Sequence, residues 1–239
     1  MKSMRFTLAS LLFAAFALPT WADLPRPDPA VVEFSRAMKF SIAGYDAAKP
    51  ALTNFPVLVR LADDSPAGFH YSDLLYPDTG SDICFLGMDG TPLAFEIDTY
   101  AWNRAGTSHV WVNVPVVTNG AEFVMCYRSP DEEAGAHISN ANAWTNFVGV
   151  WHMGEPGDGA VTVYDSTPNQ LHGTASSRSS AQSSPLGGAR QITSVYAKEF
   201  SSILVTLSGS ANAAKRAAVN SLGTEFTVSF WMKSLAGGG

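Results

Sequence analysis

The chain has 239 residues, of which 46% are apolar and only 15% charged, and its formal net charge is −6. The acidic balance, with no basic cluster beside the aromatics, excludes a nucleic-acid surface, and the sparse charge excludes long helices laced with ion pairs. Two cysteines, Cys84 and Cys126, are too few for a disulfide-dense scaffold or a four-cysteine zinc site.

Residues 1–22 have a secretory layout: Lys2 and Arg5, an apolar run from Phe6 to Leu18, then Thr20-Trp21-Ala22. They predict a cleavable signal peptide cut before Asp23. The run is shorter than the roughly 20 residues of a transmembrane helix, so no membrane span is expected after cleavage. Loss of Lys2 and Arg5 makes the mature chain more acidic. Residues 23–31 are proline-rich and predict an extended lead-in, and a few residues near Ala30 to Met38 carry the periodicity of one or two helical turns.

Strand signals follow. Phe55 to Leu61 places Val57, Val59 and Leu61 on one face. Asp82 to Leu86, Leu93 to Asp98, Ser108 to Val114 and Glu122 to Tyr127 are further β-rich runs bounded by turn residues, which predicts an antiparallel β-sandwich over residues 32–128. Residues 129–146 lose the pattern and predict a polar linker. From 147 a second module begins, with a Ser/Gly-rich stretch at Ala175 to Gly188 expected as a long surface loop, helical turns at Ser210 to Asn220, and a strand at Phe226 to Lys233. The predicted class is all-β.

Five words of the first module, Asn54 to Leu61, Phe69 to Leu74, Ser81 to Phe85, Glu96 to Asp98 and Val110 to Pro115, occur in an order that resembles the domain of unknown function 2341. That bacterial family occurs in exported proteins and beside proton-channel proteins of ExbB/TolQ-type biopolymer transport; the resemblance implies a β-sandwich and carries over no catalytic residues. Trp151-His152-Met153, Asp165-Ser166-Thr167 and Phe226 to Lys233 make residues 147–239 resemble the first part of a laminin-G-like, concanavalin A-like jelly roll. A jelly roll has about eight strands; four or five are read here, so an incomplete module, from a fragment or truncated chain, is expected.

Each candidate site has a plainer alternative. Trp102, Tyr100 and Arg104, in a polar turn, are candidate ligand contacts, with Trp102 equally an anchor of the sandwich edge. Asp165, Glu155 and Asp158 offer oxygens for calcium, while Asp165-Ser166-Thr167 is also a turn-forming sequence. Cys84 and Cys126, each on the face opposite its apolar neighbours, form one bridge in an oxidising compartment or stay as two small unpaired strand residues. Glu96 and Asp98 share a strand face and suit the spacing of about 5 Å of a carboxylate pair, but Phe95 and Ile97 point the other way into the core, which predicts a solvated face for the acids. That face also suits a cation or a pairing with Arg104 or Arg60. His152 and His172 lack zinc-site spacing, and no nucleophile-elbow or phosphate-loop motif occurs.

The sequence thus predicts a non-catalytic exported protein, secreted, periplasmic or on the cell surface, that binds polysaccharide or another cell-surface component. Two alternatives stand beside it: an accessory of an envelope transport system of the ExbB/TolQ type, and a non-catalytic part of a larger glycoside hydrolase. No cofactor is expected apart from calcium at the acidic set.

Overall fold

The computed structural model describes residues 24–29, 31–138, 142–192, 202–230 and 232; the expected signal peptide lies outside them. The fold is all-β, with antiparallel sheets and few helices. Among the described residues no helix is long and apolar enough to cross a membrane.

Strands β1 (Arg36–Ser41), β3 (Ile83–Gly87) and β6 (Glu122–Tyr127) form one sheet with β6 at its centre. Strands β2 (Leu52–Leu61), β4 (Phe95–Ile97) and β5 (Ser108–Val117) form a second, centred on β5. Side chains two apart on a strand share a face. The alternating Met38 and Phe40, Val59 and Leu61, Ile83 and Phe85, Val110, Val112 and Val114, and Phe123 and Met125 therefore meet in one core drawn from both sheets, a sandwich-like arrangement. Phe40 stacks on Phe123 at 5.2 Å. Of the region near Ala30 to Met38 expected to hold helical turns, the start does make one turn, with the Val31 and Val32 amides donating to the Asp28 carbonyl at 2.8 and 3.1 Å, while from Arg36 the chain is strand: burial of Met38 and Phe40 at period two, and pairing of Arg36–Ser41 along β6, outweigh the weak helical pattern there.

The outer face of the first sheet is covered too. Cys84, Leu86, Val124 and Cys126 pack with Leu24, Val32 and Phe34 from the lead-in and with Ala134 of helix α1 (Ala134–Ile138). Cys84 and Cys126 do lie opposite their apolar neighbours; they face each other across β3 and β6, buried and unbridged. Their mutual hydrogen bond, then burial, pushes the Cys84 thiol up from its ordinary range.

The stretch read as a linker is tied down at both ends. Ser129, Ala134, Ala143 and Trp144 are buried, and Asn113 of β5 donates to the Ala143 carbonyl at 2.9 Å. Beyond it, β7 (Thr162–Val163), β8 (Gly173–Ala175) and β11 (Ile203–Leu204) make a small sheet. The expected surface loop at Ala175 to Gly188 is largely a hairpin of β9 (Ser179–Ser184) and β10 (Gly187–Ile192) turning at Pro185-Leu186. Its small polar residues hid the strands, because they lack an apolar alternation. The helical turns at Ser210 to Asn220 are present, as a 3₁₀ turn followed by α2 (Ala213–Asn220). The strand expected at Phe226 to Lys233 is not formed among the described residues; Phe226, Val228, Phe230 and Met232 are exposed and pair with nothing that would make a ladder.

Candidate functional site

The outer face of the β2–β5–β4 sheet carries the polar residues that the core excludes. Phe95 and Ile97 turn toward the core, so Glu96 points outward, beside its cross-strand partner Trp111. On β5 the same alternation places His109, Trp111 and Asn113 outward while Val110, Val112 and Val114 go in. Asp98 follows the strand: its amide donates to the His109 carbonyl at 3.0 Å, and its Oδ1 accepts the amides of Tyr100 and Ala101, both at 3.2 Å. This turn sets the direction of Tyr100.

This acidic face is not solvated as expected. Asp98 is 3% exposed, and Glu96 is the hub of a cap built by the later chain. Its Oε2 accepts the Trp144 indole N–H and lies 3.2 Å from His152 Nε2, while Oε1 accepts the Ser166 hydroxyl at 2.6 Å. The His152 ring lies nearly parallel to Trp111 at 6.0 Å and is tilted against Trp144 at 5.6 Å. Asn142 Nδ2 donates to the Ser166 carbonyl at 2.8 Å, which joins the former linker to the same cap. Glu96 thus pairs with His152 and not with Arg104 or Arg60.

Electrostatics follow from this packing. Burial opposes the charge on Glu96, but the hydrogen bond and charge of His152, with the Ser166 and Trp144 donors, outweigh it and hold the carboxyl below its usual range. Burial likewise opposes a charged His152; the bond to Glu96 and the fields of Glu96, Asp98 and Glu155 overcome it and raise the imidazole. Asp98 goes the other way, raised mainly by burial and further by Glu96, against the pull of His152 and two amides. His109, behind Asp98, is lowered by burial and by the positive fields of Arg60 and His152.

Beside this cap lies a cavity of about 270 Å³, lined by Glu96, Asp98, Thr99, Tyr100, His152, Glu155, Tyr164 and Ser166. Tyr100 and Tyr164 are 46% and 50% exposed. Glu155 is 5% exposed; its Oε1 accepts the Tyr164 amide at 2.7 Å, and its Oε2 has no hydrogen-bond partner. Glycines let the backbones close over the acids. A Cβ on Gly188 would meet Gly154 Cα at 2.1 Å, and one on Gly187, at φ +99°, would meet Ala101 Cβ at 2.5 Å, with His109 Nδ1 and Asp98 Oδ2 just beyond.

Of the expected ligand contacts, only Tyr100 reaches this cavity. Trp102 packs instead against the core: its ring lies edge-on to Tyr71 at 5.8 Å and its indole donates to the Pro77 carbonyl. Arg104 pairs with Asp78 on the surface. The expected calcium set does not assemble. Each carboxylate caps different backbone: Asp165 accepts the amides of Val150, Thr167 and Leu171, Glu155 that of Tyr164, and Asp158 that of Ala181. Among the described residues no group of three His, Cys, Asp or Glu is placed to hold a metal ion. The turn reading of Asp165-Ser166-Thr167 is the one observed. His172 Nδ1 accepts the Asp165 amide at 3.0 Å, a structural role.

Glu96, Asp98, His152 and Tyr164 were not among the favoured ligand contacts. Glu96 and Asp98 had a usable signal, two acids on one face of a strand. His152 and Tyr164 had none, because they meet that strand only in three dimensions. No known family, curated protein or solved structure matches the chain.

Proposed function

We propose that this is an exported, non-catalytic binding protein whose ligand is a carbohydrate of the cell surface, seated in the cavity between β4 and the cap. One observation carries the reading: two half-exposed tyrosine rings, Tyr100 and Tyr164, flank a cavity walled by carboxylates. Tyrosine rings offer flat apolar faces to sugar C–H groups, and ionised carboxylates accept charge-assisted hydrogen bonds from hydroxyls. A small cavity with a few converging polar groups on an apolar scaffold is the usual form of a ligand site. The secretory layout of residues 1–22 and the resemblance of residues 32–128 to a family of exported bacterial proteins agree with this setting. Residence beside an envelope transport complex, or within a larger glycoside hydrolase, is compatible with the same binding role.

A glycan array probed with the purified mature chain, followed by calorimetry on the hits, tests the reading. Binding that falls about two- to tenfold in each of Tyr100→Ala and Tyr164→Ala is expected, since aromatic contacts contribute about 0.5–1.5 kcal/mol. An array and a panel of envelope polysaccharides without a single hit would reject it.

A second reading has one observation in its favour. Glu96 is held low and Asp98 high, the divergence that separates base from acid in carboxylate-pair hydrolases. Glu96, however, already accepts three donors within the cap, which favours a structural hub over a free base. Turnover of an aryl glycoside that disappears in Asp98→Asn would favour the hydrolase.

A further inference from the structure

We propose that the cavity admits a single sugar ring, entered end-on, so that the ligand is the terminal residue of a glycan, at a chain end or branch tip, and not the interior of a linear polysaccharide. This rests on the carbohydrate reading above and names the substrate class of the same site.

The floor of the cavity is short. Glu96 on β4 and Asp98, two residues on, both line it, and that spacing on an extended chain separates them by about 7 Å. This is the length of one pyranose with its substituents. Both ends of the floor are closed. At the Glu96 end the cap descends onto the sheet: the Ser166 hydroxyl and His152 Nε2 reach the carboxylate at 2.6 and 3.2 Å, and the Trp144 indole donates to it as well. At the Asp98 end lies the β9–β10 hairpin. A Cβ on Gly187 would meet Ala101 Cβ at 2.5 Å and Asp98 Oδ2 at 3.5 Å, so the backbone there rests directly on the acid.

Glycines close a third side. A Cβ on Gly154 would meet Tyr100 Cβ at 2.7 Å and Gly188 Cα at 3.6 Å, so the cap, the hairpin and the turn after β4 meet with no side chain between them. What stays open is the side of Thr99, Tyr100 and Tyr164, the exposed lining residues. Asp98 and Glu155 are buried at the bottom. The volume agrees with this shape: about 270 Å³ falls just under the range of about 300–1,000 Å³ that takes a drug-sized ligand. A disaccharide is of that size, and one ring is half of it. A terminal sugar seated here keeps its single glycosidic bond at the mouth, between the two tyrosine rings, and the residues beyond it stand in solvent. An internal residue carries a second linkage, which would have to pass through the cap or the hairpin and break the Glu96 contacts or the glycine packing.

The test asks which part of a glycan is recognised. An array of linear and branched glycans of known sequence, probed with the purified mature chain, should return hits that share their terminal residue while their interiors differ. Removal of that residue by an exoglycosidase should lower binding at least about tenfold, the scale of one hydrogen bond to a charged group. Calorimetry then compares the methyl glycoside of the terminal residue with a tetrasaccharide and an octasaccharide that end in it. Their affinities should agree within about fivefold, less than one further bond of that kind would add, with one protein bound per glycan end whatever the length. Hits that share an internal motif and differ at their ends would overturn the end-on inference and leave the carbohydrate reading standing. So would an octasaccharide that binds outside that span or takes up several proteins. A blank array, with envelope polysaccharides also unbound, would overturn both.

Discussion

The two halves of the molecule are held together by different means. Between Arg36 and Tyr127 stability comes from apolar burial: strands of three to ten residues converge on a core in which Phe69, Phe85, Leu61, Ile83 and Val110 are wholly enclosed. Between residues 142 and 192 few apolar side chains are buried, namely Ala143, Trp144, Val163, Leu171 and Ala175, and the chain is shaped by carboxylates that cap backbone amides. Asp165 alone serves three amides and the Thr167 hydroxyl. The first half is therefore a tolerant scaffold, whereas the second depends on single polar groups. The candidate cavity sits where they meet, on a rigid sheet face under a cap that individual hydrogen bonds hold in place.

The largest effect should come from the core. Phe85→Ala should cost about 3–5 kcal/mol, read as a lower urea midpoint of the whole chain; a cost below about 1 kcal/mol would mean that the two sheets do not share this core. Next comes Asp165→Ala, which leaves three amides without their acceptor and should cost about 3 kcal/mol. Its signature is local: hydrogen exchange should show residues 148–171 losing protection while β5 and β6 keep theirs. Equal loss in both halves would break the comparison and make the molecule one cooperative unit.

The Glu96–His152 pair joins the halves, and its contribution depends on pH. His152 is raised in the fold, so its share is complete below the ordinary histidine value of 6.5 and fades as pH climbs through the higher folded value. Glu96 is lowered, so its share is complete above the ordinary glutamate value of 4.5 and fades as pH drops through the lower folded value. The stability difference between wild type and His152→Gln should therefore be greatest between those two values, at about 1.5–3 kcal/mol for a hydrogen bond between charged groups, and shrink toward alkaline pH. A difference flat from pH 5 to 9 would show that the pair does not join the halves. The smallest effect belongs to Arg104→Ala, which removes an exposed ion pair with Asp78 and should change stability by less than about 0.5 kcal/mol.

How much of this was legible in the sequence differs between the halves for the same physical reason. Strands β2 to β6 are legible because an apolar core imposes a period of two, and that period is local. β1 is ambiguous because the run leading into it also fits a helical turn, and β9 and β10 leave no signal because a hairpin rich in serine and glycine has no apolar rhythm. Residues 226–232 show the converse. Phe226, Val228, Phe230 and Met232 alternate as a strand should, yet a strand exists only with a partner to hydrogen-bond, and none lies beside them among the described residues.

By itself the sequence determined the all-β class, the register of alternation in the first half, the turn at Asp165 and the outward direction of Glu96. Only the tertiary structure decided what that outward face meets. Trp144, His152 and Ser166 reach Glu96 from 48, 56 and 70 residues further along the chain, and no periodicity records contacts at such separations. Alternation tells which side of a strand a carboxylate occupies, whereas its neighbours, and so its charge and its chemistry, are set by whatever folds back over that side.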